Sequence, residues 1–118
     1  MMTDYSTNTC EACSVDAPKV SDKELSEFLF KNSEWSLSND VDFKQLKAVF
    51  LFKDFVTAQS FVSIIGKLAE EEGHHPSILL EFGKVTVRWW SHKIINLHIN
   101  DLIMATKTKQ LYDNFVTS

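Results

Sequence analysis

Three of the chain's four histidines, His74, His75 and His92, fall in one stretch that runs from Glu70 through His74-His75-Pro76 to Trp89-Trp90-Ser91-His92. Histidine gives or takes a proton near neutrality, its unperturbed pKa being about 6.5, so converging imidazoles suit general acid/base chemistry. Glu70, Glu71 and Glu72 stand at what reads as the end of a helix, where the macrodipole disfavours carboxylates and so slightly favours a functional use. Gly73 can close that helix in the left-handed conformation and Pro76 forbids its continuation. His74 and His75 therefore fall on a sharp turn, which is expected to expose both side chains and to leave them little part in the core. Adjacent histidines alone would serve equally as polar loop residues; His92 tips the reading towards a site.

The same groups are legitimate zinc or iron ligands, namely His74, His75, His92 and Glu70, but adjacent histidines rarely both reach one ion. Acid/base chemistry without a metal is the reading preferred. Cys10-Glu11-Ala12-Cys13 forms a CxxC pair, yet a structural zinc site needs two further ligands and no suitably spaced pair stands out. Structurally inert thiols are the expectation there, with metal or redox use as alternatives.

The elements that must position these groups read off the periodicity. Residues 1–20 are rich in Ser, Thr, Asn and Asp and lack sustained periodicity, so they read as a flexible extension, and the domain is expected to span 21–118. Ser21 and Glu24 form a capping box for a short helix with Leu25, Phe28 and Leu29 on one face, ending near Lys31. Trp35 and Leu37 open an alternating segment that reaches a turn at Ser38-Asn39-Asp40. Leu46, Ala48, Phe50 and Phe52 then alternate with Lys47, Val49, Leu51 and Lys53, a pair of antiparallel strands. Asp54 caps a long helix that ends at Gly73. Two more strands, Ser77 to Phe82 and Lys84 to Ser91, hinge at Gly83, with Val85, Val87 and Trp89 opposite Thr86, Arg88, Trp90 and His92. A last helix spans about Ile99 to Phe115, with a polar interval from Thr106 to Gln110. The order α-β-β-α-β-β-α predicts a two-layer α+β domain, a four-stranded antiparallel sheet with helices on one face.

The 118 residues suit one domain, and 44% hydrophobic composition with 12% aromatics supplies a core. A net charge of -4 argues against direct nucleic-acid binding, which needs a basic face. No apolar run approaches the roughly 20 residues that cross a bilayer, and the N-terminus lacks the pattern of a secretory signal, so a cytoplasmic protein is expected. P-loop, dinucleotide and nucleophile-elbow motifs are absent from the sequence.

Glu70-x-x-x-His74-His75-Pro76, followed by Val85-x-Val87, Ser91-His92 and Asp101-Leu102, together with Trp35 and Phe50-x-Phe52-x-Asp54-Phe55, resembles the pterin-4a-carbinolamine dehydratases. The resemblance covers about 80 residues, all of the expected domain except its first helix. Two departures stand out: Ile95-Asn96 replaces the family's small or glycine pair, and His98 stands where the family places a Ser or Thr cap on the last helix. The resemblance implies loss of water from 4a-hydroxytetrahydropterin to give quinonoid dihydropterin, which recycles the cofactor of aromatic amino acid hydroxylases. It implies His74 and His92 as proton donors and acceptors, His75 chiefly as a group that holds the pterin, and Glu70 and Asp101 as orienting carboxylates. Trp90 is a candidate for stacking on the flat ring, against the commoner use of a lone Trp as an aromatic packed at a strand end or a subunit contact. The pterin is substrate, so no cofactor is implied. Family members assemble as dimers and tetramers, so a homodimer or homotetramer is expected, and animal members also serve as dimerisation cofactors of a transcription factor, a non-catalytic alternative.

Overall fold

The computed structural model describes residues 20–38, 44–91 and 96–117. The first helix, α1 (Asp22–Lys31), begins with the capping box expected of its sequence. The Ser21 hydroxyl accepts from the Glu24 N–H, and the Glu24 carboxylate accepts from the Ser21 N–H. Leu25 and Phe28 turn one face of this helix into the core. Val20, the last residue of the expected extension, instead donates its N–H to the Leu97 carbonyl at 3.2 Å and packs against the core. The remaining extension, including Cys10 and Cys13, lies outside the described residues.

The strands β1 (Ser36–Ser38), β2 (Gln45–Leu51), β3 (Ser77–Glu81) and β4 (Lys84–Trp89) form one antiparallel sheet in the order β1-β2-β4-β3. Its alternation is that of a sheet covered on one side. Leu46, Ala48 and Phe50 of β2 and Val85, Val87 and Trp89 of β4 are buried, while Val49, Leu51 and Leu79 remain exposed on the other face. The helices α2 (Phe55–Glu72) and α3 (Ile99–Thr117) cover the buried face and touch each other. Within this layer Phe50, Phe52, Phe61, Tyr112 and Phe115 pack as an aromatic cluster with ring centroids 4.8 to 5.9 Å apart. Such pairs prefer the tilted and edge-on arrangements seen here.

Helix α2 starts at Asp54, whose carboxylate accepts from the Thr57 N–H at 2.8 Å. Hydrogen bonds from Thr57, that of its side chain foremost, hold the Asp54 carboxyl below its usual range. The helix stops at Gly73, which takes φ +64°, and its 18 residues at about 1.5 Å each span about 27 Å. One end of α2 therefore meets the aromatic cluster and the other carries the histidine turn. In α3, Thr108 departs from the expected polar interval: it is fully buried, donating to the Met104 carbonyl and accepting from the Trp89 indole at 3.0 Å. A hydroxyl satisfied twice in this way is as much at home in the core as an apolar side chain.

The two glycines at turns are expected to differ in how badly they tolerate a side chain. Both have positive φ, +64° at Gly73 and +71° at Gly83, which costs an L-residue about 1 kcal/mol or more. A Cβ at Gly73 meets nothing within 4 Å, whereas at Gly83 it would sit 3.1 Å from the Phe52 carbonyl. Urea unfolding should show Gly83→Ala losing clearly more stability than Gly73→Ala, and the reverse order would refute this account of the two turns.

Candidate functional site

The turn after α2 sends its two histidines in opposite directions. The His74 N–H donates to the Ala69 carbonyl at 3.1 Å, continuing the helix-closing pattern around Gly73. The His74 ring then turns inward and is only 2% exposed, which corrects the expectation that the turn presents both side chains to solvent. What draws it in is a built position. Its ring stacks on Trp89, with centroids 5.6 Å apart and planes 9° from parallel, and its Nε2 lies 2.7 Å from Oδ1 of Asp101. The alternation of β4 places Trp89 on the helix side of the sheet, and the bond to Thr108 fixes its indole.

Asp101 is itself fully buried in the first turn of α3. Its Oδ2 accepts from the Ser91 hydroxyl at 2.7 Å and from the His98 N–H at 3.1 Å. A carboxylate that accepts from Ser91, His98 and His74 is a strong acceptor throughout, so the ring proton of His74 that meets it sits on Nε2. The His98 ring completes the group. Its Nδ1 accepts from the Asn100 N–H at 3.3 Å, and its centroid lies 6.3 Å from that of His74. Burial pushes the His98 imidazole below its ordinary 6.5; Asp101 pulls the value upward, and His74 adds to the depression.

His75 points the other way and is exposed, its Nε2 bonded to Oε2 of Glu70 one turn back on α2. Both partners are more than half exposed, 57% and 77%, so the pair adds little stability. Of the three glutamates only Glu70 joins the motif. Glu71 pairs with Lys67 on its own helix, and Glu72 pairs with Lys107 at 3.6 Å, tying α2 to α3.

The structure thus brings together His74 and Asp101, with His75 and Glu70 beside them on the same turn. Trp90 follows β4, half-buried and packed against the core. His92 lies outside the described residues. Its neighbour Ser91 is within the site, in a two-way backbone bridge to Asn96 with N···O distances of 2.8 and 3.4 Å. Trp89, Ser91 and His98 were not singled out as site residues from the sequence. His98 and Asp101 do carry a legible signal, since a polar residue three positions before a carboxylate at a helix start has capping-box spacing. Among the described residues no three His, Cys, Asp or Glu side chains gather as a metal-holding set. A groove of about 710 Å³, lined by Leu51, Phe52, Tyr112 and Phe115, lies at the far end of α2 and α3 from the histidines.

Removing the acceptor at the centre of this group should be costly. Asp101→Ala would leave three buried donors unpaired, a loss of about 3 kcal/mol or more, whereas Ser91→Ala should cost about 1 kcal/mol. Chemical denaturation of the two variants checks the order, and equal losses would show that Asp101 is not the hub. For the same reason His74→Ala should be measurably destabilising, unlike the surface change His75→Ala.

The family profile described as "Pterin 4 alpha carbinolamine dehydratase" matches residues 18–111. A Marinobacter nauticus protein that bears the provisional name "pterin-4-alpha-carbinolamine dehydratase" is 53% identical over 111 residues, covering 94% of this chain and all of that relative. Among solved structures, a transcriptional coactivator/pterin dehydratase from Brucella melitensis superposes with a TM-score of 0.72 at 25% identity, over 80% of this chain and 99% of that one. A pterin dehydratase-like protein, described as a RuBisCO assembly factor in the alpha-carboxysome, shares the fold with a TM-score of 0.56 at 19% identity, over 67% of this chain and 89% of that one. With the profile spanning the strands, the histidine turn and the start of α3, the chain belongs to the pterin-4-alpha-carbinolamine dehydratase family and is a dehydratase, a lyase, by that membership.

Proposed function

We propose that the chain removes water from 4a-hydroxytetrahydropterin to give quinonoid dihydropterin, using its histidines as general acids and bases. The C4a–O bond breaks as an acid delivers a proton to the departing hydroxyl, and a base takes the proton from the adjacent N5, so that a C4a=N5 double bond forms and one water leaves. The observation that carries this reading is the paired disposition of the two adjacent histidines: His74 held by Asp101 beneath the surface, and His75 held by Glu70 at it.

Their burial suggests a division of labour different from that implied by the resemblance. His75 is open to solvent and can meet a ring directly, so we assign it proton transfer together with His92. His74, almost wholly covered, supports the site from below through its single tautomer. Dehydration of a 4a-hydroxylated pterin fits a link to an aromatic amino acid hydroxylase, and that link belongs to the proposal. In the described residues no helix is long and apolar enough to cross a membrane, and a cytoplasmic location is part of the proposal.

Turnover of a synthetic carbinolamine, compared with its unaided dehydration, tests the activity. His75→Ala and His92→Ala should each lower kcat by roughly 10²-fold, the contribution of one acid/base group. If His75→Ala instead raises only KM, His75 is a holding group and the acid/base role returns to His74.

The outer face of the sheet supports self-association as a homodimer or homotetramer. Val49, Thr86 and Leu79 form one row across β2, β4 and β3, and Val49 and Leu79 are 46% and 54% exposed, with Leu51 at 66% in the next row. Apolar rows of this kind favour a partner surface. Sedimentation at micromolar concentration should show a species larger than the 13.5 kDa chain, and a monomer alone would count against it.

A further inference from the structure

His98 is the one histidine that the proposed reaction does not use, yet it is 1% exposed and packed into the group that holds His74. Its backbone N–H donates to Oδ2 of Asp101, its carbonyl accepts from the Asp101 N–H at 2.9 Å, and its Nδ1 accepts from the Asn100 N–H. These are the bonds of an N-cap residue, with imidazole nitrogen in place of the usual hydroxyl or carboxylate oxygen. An imidazole caps only while Nδ1 is unprotonated, so this role requires the neutral ring with its proton on Nε2.

We propose that His98 is a positioning residue with a built-in pH dependence: as neutral imidazole it caps α3 and holds Asp101, and through Asp101 it fixes His74. Protonation would set an N–H of the ring against the Asn100 N–H, removing the cap and placing positive charge 6.3 Å from the His74 ring. Among the described residues, the titratable groups that bear on His98 are Asp101 from its own helix, which favours the charged form, and His74 from the end of α2, which opposes it. Burial opposes it most, and the balance lies with the neutral ring at neutral pH.

The direction of the effect follows. A histidine whose folded pKa lies below its unfolded value binds fewer protons folded than unfolded. Its contribution to stability is therefore complete above about 6.5 and declines as pH falls below that value through the folded pKa. A Ser or Thr cap, as the family places there, has no such step. His98 thus makes the geometry of His74 sensitive to mild acid. In this the inference rests on the dehydratase reading only for its kinetic consequence.

The test is an imidazole nitrogen NMR titration of the full chain between about pH 5 and 8, with His98→Thr and His98→Ala alongside wild type. His98 should show the Nε2–H tautomer at neutral pH and titrate below 6.5, and the His74 signals should inflect at the same midpoint. His98→Thr keeps a cap and should abolish that inflection. His98→Ala should disturb the His74 tautomer and lower kcat roughly 10-fold with little change in KM, while Thr restores kcat and removes its acid decline. A proton on Nδ1 of His98, a midpoint at or above 6.5, or His74 signals indifferent to residue 98 would overturn the proposal. If no variant turns over carbinolamine, the dehydratase reading fails while the NMR titration still decides the role of His98.

Discussion

The carboxylate of Asp101 accepts from three parts of the chain at once: the end of α2 through His74, the end of β4 through Ser91, and the backbone that starts its own helix at His98. Taking a carboxylate out of water costs several kcal/mol, and only a full set of donors offsets that. The location helps, since the N-terminal turn of a helix favours negative charge. Each donor is thereby conditional on the others. A tightly packed apolar trio could join these elements with comparable stability, so what the carboxylate adds is orientation: it selects one tautomer of a buried imidazole and aims it.

Much of the fold was legible because its signals are local. The capping box at Ser21, the cap at Asp54, the stop at Gly73 and the period-two alternation of β2 and β4 each depend on a few neighbouring residues, and each is found where the sequence places it. The boundaries moved where tertiary contacts intervene. β4 ends at Trp89, short of the expected Ser91, because Ser91 leaves the ladder to bridge to Asn96 and to donate to Asp101.

For the candidate residues Glu70, His74, His75 and Asp101, nearness was more legible than geometry. Glu70 and His75 pair within one turn of helix, which local spacing could suggest, whereas His74 finds its partner 27 residues further on. A turn determines where a side chain leaves the backbone, and a distant acceptor decides whether it goes in or out. The same reason hid Thr108, polar by composition yet buried under the Trp89 indole. His98 stood in the sequence as an irregular cap, and only the position of its Nδ1 shows that it caps after all.

All of this depends on the register of one strand. β4 runs between β2 and β3, with Trp89 opposite Leu46 and Val87 opposite Ile78. A slip of one residue would turn Trp89 to the outer face and remove the surface on which His74 stacks. The turn at Gly83 resists that slip, because the Phe52 N–H donates to the Gly83 carbonyl at 2.8 Å and ties the start of β4 to the end of β2. The aromatic cluster below it supplies apolar burial at that end of the helices, with its Tyr112 about three turns along α3 from Asp101. Apolar packing at one end thus sets the register, and the register delivers Trp89, Ser91 and their polar partners to the other, where burying a charge and several imidazoles would otherwise be unaffordable for so small a core.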